Sequence, residues 1–149
     1  MVLDELTEFC DAQALNTGGA GIYLIGDVID LGANHRDAGN GQPMYLVISV
    51  DTAVTSGGSA TVQFTLASDA QAAIATDGSA TVHVSSNAIA KATLVAGYQI
   101  VLPVPPESPI YERYLGILQT TAVAALTAGK VNAFLTGDPH VWQSYADGI

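Results

Sequence analysis

Residues 44–68 constrain this chain more than any other stretch. Met44-Tyr45-Leu46-Val47-Ile48-Ser49-Val50 is an almost unbroken apolar and β-branched run. Residues 60–68 alternate, with Val62, Phe64 and Leu66 on one face and Thr61, Gln63 and Thr65 on the other. The polar link between them ends in Gly57-Gly58-Ser59, residue types suited to tight turns. Period-two alternation bounded by turn residues predicts two strands joined as a β-hairpin. A first strand apolar on both faces is expected where both sides are covered, one by the core and the other by a partner subunit. Nothing in the stretch carries chemistry, which points to a structural or binding protein.

The rest of the chain follows the same pattern. Short strands are predicted at 22–25 and 28–31, separated by the turn pair Gly26-Asp27, and again at 80–85, 99–104, 111–120 and 130–136. Pro103 cannot donate to a ladder, so its strand ends there or lies at a sheet edge. Residues 105–109 form a stiff Pro-rich loop, and 69–76 a loop or a single helical turn. The run Gly-Ser-Ala-Thr-Val occurs at 58–62 and 78–82, one turn-to-strand solution used twice rather than a solenoid repeat. Residues 1–15 allow a short amphipathic helix. Val2, Leu6, Phe9 and Cys10 share a face, with Asp4, Glu5 and Glu8 near the start where the helix dipole favours acids. The alternative is an extended arm docked on a neighbour. About seven or eight short strands predict one all-β domain over residues 1–149, an antiparallel β-sandwich or small barrel. Residues 1–21 would be its arm and linker, and 137–149 an extended C-terminal tail.

Charge narrows the partners. The net charge is −10, and the basic residues are Arg36, Lys91, Arg113 and Lys130. Nucleic acid binding needs phosphate-neutralising cations, so this balance argues against it and against an anionic membrane surface. Charged residues make up only 12% of the chain, against about 25% in an ordinary soluble domain. Either much of the surface is covered by partners, since interface cores are depleted of charge, or the protein is acidic with a neutral surface. No apolar run approaches the roughly 20 residues that span a bilayer. The first residues carry acids where a secretion signal needs a basic segment, so synthesis in the cytoplasm is expected.

Chemistry finds no foothold. The one cysteine, Cys10, cannot form an intramolecular disulfide and has no basic neighbour, so it is expected to be a small buried apolar residue. His35, His83 and His140 lie far apart, and His83 is followed by Val84-Ser85, not by the second histidine of a metal-binding His-x-His pair. His83 is expected to be a strand residue with its ring hydrogen-bonded or wet. Residues 16–21 lack both the G-x-G-x-x-G spacing and the P-loop lysine, and no G-x-S-x-G marks a nucleophile. Asp37, Gly39, Asn40 and Gly41 lack the further oxygen ligands of a calcium loop. Asp51, Asp69 and Glu112 are carboxylates that the sequence does not pair. No catalytic residue, cofactor or metal site is expected, and the chain is not expected to be an enzyme.

The order of segments resembles the small capsid cement (decoration) proteins of tailed bacteriophages. The matching pieces are Met1-Val2-Leu3-Asp4 with Phe9 and residues 11–15, then Val28-Ile29-Asp30-Leu31-Gly32, then Arg36-Asp37 with Gly39 and Gly41. Tyr45-Leu46-Val47, residues 50–53, Ala60-Thr61-Val62-Gln63-Phe64, Leu94-Val95-Ala96-Gly97, Glu112-Arg113-Tyr114-Leu115 and Leu126-Thr127-Ala128-Gly129 follow in order. The Gly-rich linker at 17–21 and the Pro-rich loop at 103–109 depart from the pattern. The resemblance implies a jelly-roll-like sandwich on the outside of the virion head. There it would assemble as a homodimer or homotrimer and bridge subunits of a major capsid protein. The contacts expected are Leu3, Leu6 and Phe9 of the N-terminal segment, Arg36 and Asp37, and Trp142 and Tyr145 of the tail. The alternative is a carbohydrate- or receptor-binding jelly roll on the virion surface, with Trp142 and Tyr145 as its aromatic platform.

Overall fold

The computed structural model describes residues 5–33, 42–106 and 109–139. They form nine strands: β1 (Glu8–Ala14), β2 (Gly21–Asp30), β3 (Met44–Ser56), β4 (Thr61–Asp69), β5 (Thr81–Ser85), β6 (Ile89–Ala90), β7 (Gln99–Val104), β8 (Tyr114–Ala122) and β9 (Leu126–Thr136). One 3-10 turn, Glu5–Thr7, precedes them. The strands make two antiparallel sheets, β1-β9-β3-β7 and β2-β8-β4-β5, with β6 beside β4. The chain crosses between sheets at every connection except β4 to β5 to β6, which is the winding of a jelly roll. The expected all-β sandwich is the fold. β7 is an edge strand, so Pro103 sits where a missing N–H costs least.

Three local expectations are corrected. The hairpin over 44–68 does not form: β3 pairs with β7 and β9, whereas β4 pairs with β8, β5 and β6 in the opposite sheet. Alternation shows which face of a strand is buried, but not which neighbour completes its ladder. The N-terminal helix is replaced by the 3-10 turn and β1. Phe9 and Cys10 are both buried, and β1 shifts register against β9 on either side of Cys10. Ala12 takes a positive φ of 49° there, with its N–H donating to Asn132 Oδ1 at 2.5 Å. Such a bulged strand shows no period-two pattern. Finally, the segments 22–25 and 28–31 are one strand. Gly26, at φ 70°, forms a bulge in β2 rather than a turn, and a Cβ on it would lie 2.6 Å from the Phe9 carbonyl oxygen.

The interior is built from alternate residues of the central strands. Leu46, Ile48 and Val50 of β3 and Val131, Ala133 and Leu135 of β9 face Val62, Phe64 and Leu66 of β4 and Leu115 and Ile117 of β8. Each Leu, Ile, Val or Phe buried in this way contributes about 1.5–3 kcal/mol. Thr61, Gln63 and Thr65 point outward as expected, but that face is not simply solvated. The connection from β4 to β5 folds back over it, and buried Ile74 packs with Ala67 and Leu118. Gly116 makes the niche, since a Cβ there would lie 2.6 Å from Ile74 Cδ1. The β1–β2 linker is tied down by Gln119, which has no exposed surface. Its Oε1 accepts from Asn16 N–H at 2.8 Å, and its Nε2 donates to Asn16 O at 3.0 Å and Thr121 Oγ1 at 2.7 Å. The amide thus substitutes for a backbone partner that Asn16 lacks.

Gly26→Ala is expected to cost about 2–3 kcal/mol, because it combines a strained φ with a backbone clash. Urea unfolding checks this; a loss below about 0.5 kcal/mol would show that the β2 bulge does not lock β1 to β2.

Candidate interaction surface

The structure separates the expected contact residues. Leu3, Arg36, Asp37, Trp142 and Tyr145 lie outside the described residues, as do His35 and His140. Phe9 does not belong to a contact surface. It is 1% exposed and packed in the core, because β1 is a strand that turns this side chain inward. Leu6, on the 3-10 turn, is 78% exposed and stands at the surface.

Leu6 borders a concavity of about 790 Å³ between the 3-10 turn with β1 and the neighbouring strand β2. Its walls carry Glu5, Glu8, Asp11, Asp27 and Asp30. Asp30 is held by Arg113, just before the neighbouring strand β8 of the same sheet, through two 2.9 Å hydrogen bonds, to Oδ1 from Nε and to Oδ2 from Nη2. The pair is about half exposed, so it orients Asp30 more than it stabilises the fold. The guanidinium also lies 5.1 Å above the Tyr114 ring. The wall of carboxylates makes this corner a strongly negative part of the surface.

The second notable region is the outer face of β9-β3-β7. Val47 points away from the core residues Leu46 and Ile48, yet it has no exposed surface. Its cross-strand neighbours on that face are Phe134, 5% exposed, and Val101, 43% exposed. Further along, Gln99, Ser49 and Asn132 form one cross-strand row. They line a smaller cavity of about 300 Å³ with Glu8, Asp11 and Phe134. Val47 is thus covered on this face by its own chain, without a partner subunit.

One arrangement superficially suggests catalysis. His83 Nε2 lies 2.8 Å from Ser68 Oγ, and Ser68 Oγ accepts the Glu112 N–H at 2.9 Å. Ser68 has no exposed surface, so the hydroxyl offers no path to a substrate carbonyl. The Glu112 carboxylate accepts from Thr81 Oγ1 at 2.6 Å instead of orienting the imidazole. The group is a packed polar network joining β4, β5 and the chain before β8. No sequence signal links its members; of the two states expected for the His83 ring, hydrogen-bonded or wet, the first is found at Nε2. Among the described residues, no three His, Cys, Asp or Glu side chains gather in a manner that would hold a metal ion.

The family model Bbp16 matches residues 9–135, from the second residue of β1 to the penultimate residue of β9. The chain belongs to the Bbp16 family. Bbp16 is a phage-related family name. No curated protein matches the chain. The Bbp16 match coincides with the sandwich itself and leaves out the 3-10 turn and the C-terminal tail. The outer face of β9-β3-β7 is built from strands inside the match, and Asp11, Asp27 and Asp30 of the acidic corner also lie within it. Glu5 and Glu8 of that corner, with Leu3, Leu6, Trp142 and Tyr145, fall beyond it.

Cys10, also inside the Bbp16 match, is buried, and its Sγ–H reaches the Val131 carbonyl at 3.7 Å. Burial pushes its thiol up to about 11, with the nearby carboxylates of Glu8, Asp11 and Asp27 adding to the shift. At pH 8 about one thiol in a thousand is then ionised, so reaction with a thiol reagent should wait for unfolding. Rapid stoichiometric labelling of the native protein at pH 8 would contradict the packing of β1.

Proposed function

We propose that this chain is a structural virion protein, a capsid cement or decoration protein that binds the outer surface of a phage head and stabilises contacts between major capsid protein subunits. The observation that carries this reading is the phage-related family match extending over the whole sandwich. The resemblance in segment order to tailed-phage cement proteins supports it. So does the physical character of the molecule. A jelly roll presents rigid faces, and a rigid surface loses little conformational entropy on docking. Many equivalent sites on a shell turn modest contacts into firm attachment. A net charge of −10 suits a protein partner with basic surface loops better than nucleic acid. In this reading the chain acts as a homodimer or homotrimer.

A carbohydrate- or receptor-binding role is the second reading. One feature favours it: the row Gln99, Ser49 and Asn132 lines a cavity beside Phe134, which sets polar side chains next to an aromatic ring. A glycan array would separate the two, since the cement reading expects no hits.

The main test uses heads assembled without this protein. They are expected to release DNA at lower temperature than complete heads, and added protein should restore the difference while failing to bind monomeric coat subunits. Heads of equal resistance with and without it would reject cementing. Leu6→Asp should weaken head binding by about tenfold or more without lowering the melting temperature. Unchanged binding would remove the 3-10 turn from the contact surface.

A further inference from the structure

On the side of the sandwich opposite β1 and β2, the two sheets meet where β5 lies beside β7. β5 is short, with five residues, and is joined to β4 through a register shift between Leu66 and Ala67. What holds it across the seam is a set of side-chain contacts. His83 lies flat on Tyr111, with ring centroids 3.7 Å apart and planes 6° from parallel. Tyr111 is 2% exposed, and its hydroxyl donates to the Pro105 carbonyl. His83 Nε2 meets Ser68 Oγ, and Thr81 Oγ1 donates to Glu112. The other ring nitrogen, Nδ1, is buried without a hydrogen-bond partner.

This geometry fits a neutral imidazole. Ser68 Oγ accepts the Glu112 N–H and, with its second lone pair, the Nε2–H, which leaves Nδ1 an unprotonated nitrogen. Protonation adds an Nδ1–H donor that has no acceptor. A buried donor without an acceptor costs about 1–3 kcal/mol, more when charged. Two groups oppose the cost: the Tyr111 ring face attracts a cation, and so does the Glu112 carboxylate. Glu112 is the charged group facing the ring. The Asp69 carboxylate, next to Ser68 on β4, accepts from Gln71 and Ala75 N–H instead, and β7 carries no charged residue. Burial outweighs Glu112 and takes the imidazole down to about 4 from its ordinary 6.5.

We propose that His83 is an acid-sensitive latch, fastening β5 to Tyr111 and the chain before β8 while neutral and releasing β5 when protonated, with the centres of both sheets still paired. The sign follows from the depressed value. The unfastened ring binds protons near pH 6.5 and the fastened ring near 4, so the latch holds fully above about 6.5 and is lost as the pH falls toward 4. At pH 5 the closed-to-open ratio of β5 should be on the order of 30-fold below its value at pH 7.5.

The test is amide exchange on the intact chain at pH 7.5 and pH 5, corrected for intrinsic rates, together with NMR titration of the His83 ring. Amides of β5 should lose protection on acidification while those of β9 keep theirs, and the ring should titrate well below 6. In His83→Phe, which keeps the stack on Tyr111 and cannot be protonated, β5 should be insensitive over the same range. If that variant does not fold, His83→Gln serves the same comparison. A ring titrating at 6.5, or β5 protection that is flat in the native chain or equally pH-dependent in the variant, would overturn the proposal.

Discussion

The antiparallel pairing of β3 with β9 is the interaction on which the rest of the sandwich depends. It runs from Tyr45 opposite Thr136 to Ser56 opposite Leu126 and joins parts of the chain some 70 to 90 positions apart. Its inward residues, Leu46, Ile48 and Val50 with Val131, Ala133 and Leu135, form one wall of the core. β1 and β7 then add at either side of this pair, and β4 and β8 supply the facing wall. Because the pairing is non-local, its loop-closure cost falls before any reward from burial. The fold therefore relies on strongly apolar strands, of which β3, apolar on both faces, is the extreme case.

Much of this was legible in the sequence because burial dictates residue type. Val62, Phe64 and Leu66 alternate because β4 has one face in the core, and all have no exposed surface. Pro103 marked an edge strand for the reason that it lacks an N–H. The misreadings share one cause. The link at 51–59 looks like a hairpin turn because β3 continues to Ser56 with largely polar and exposed residues. The crossing between sheets at 57–60 then needs the same small, flexible residues as a reversal within one sheet. Gly26-Asp27 looks like a turn because a bulge also needs positive φ. Around Phe9 and Cys10, the bulge at Asp11 and Ala12 removes the alternation, and the remaining spacing mimics a helix.

The contact surface was less legible, for a physical reason. Docking faces need only be complementary to a partner, and the partner is not written in the chain. Apolar residues near an end can equally be core, as Phe9 is, or surface, as Leu6 is. The polar network around His83 left no local signature either, since Ser68, His83 and Tyr111 are brought together by strand pairing and by the loop before β8. Long-range polar contacts of this kind depend on topology, which residue patterns specify only weakly.

If the chain cements a phage head, its place is on the outside of the shell, seated over a junction between coat subunits. Electron cryo-microscopy of the mature particle tests this most directly. The expected result is density for the jelly roll on the outer surface, repeated at equivalent positions and touching at least two coat subunits at each. Density inside the shell, confined to the tail, or absent from the particle would contradict the cement role.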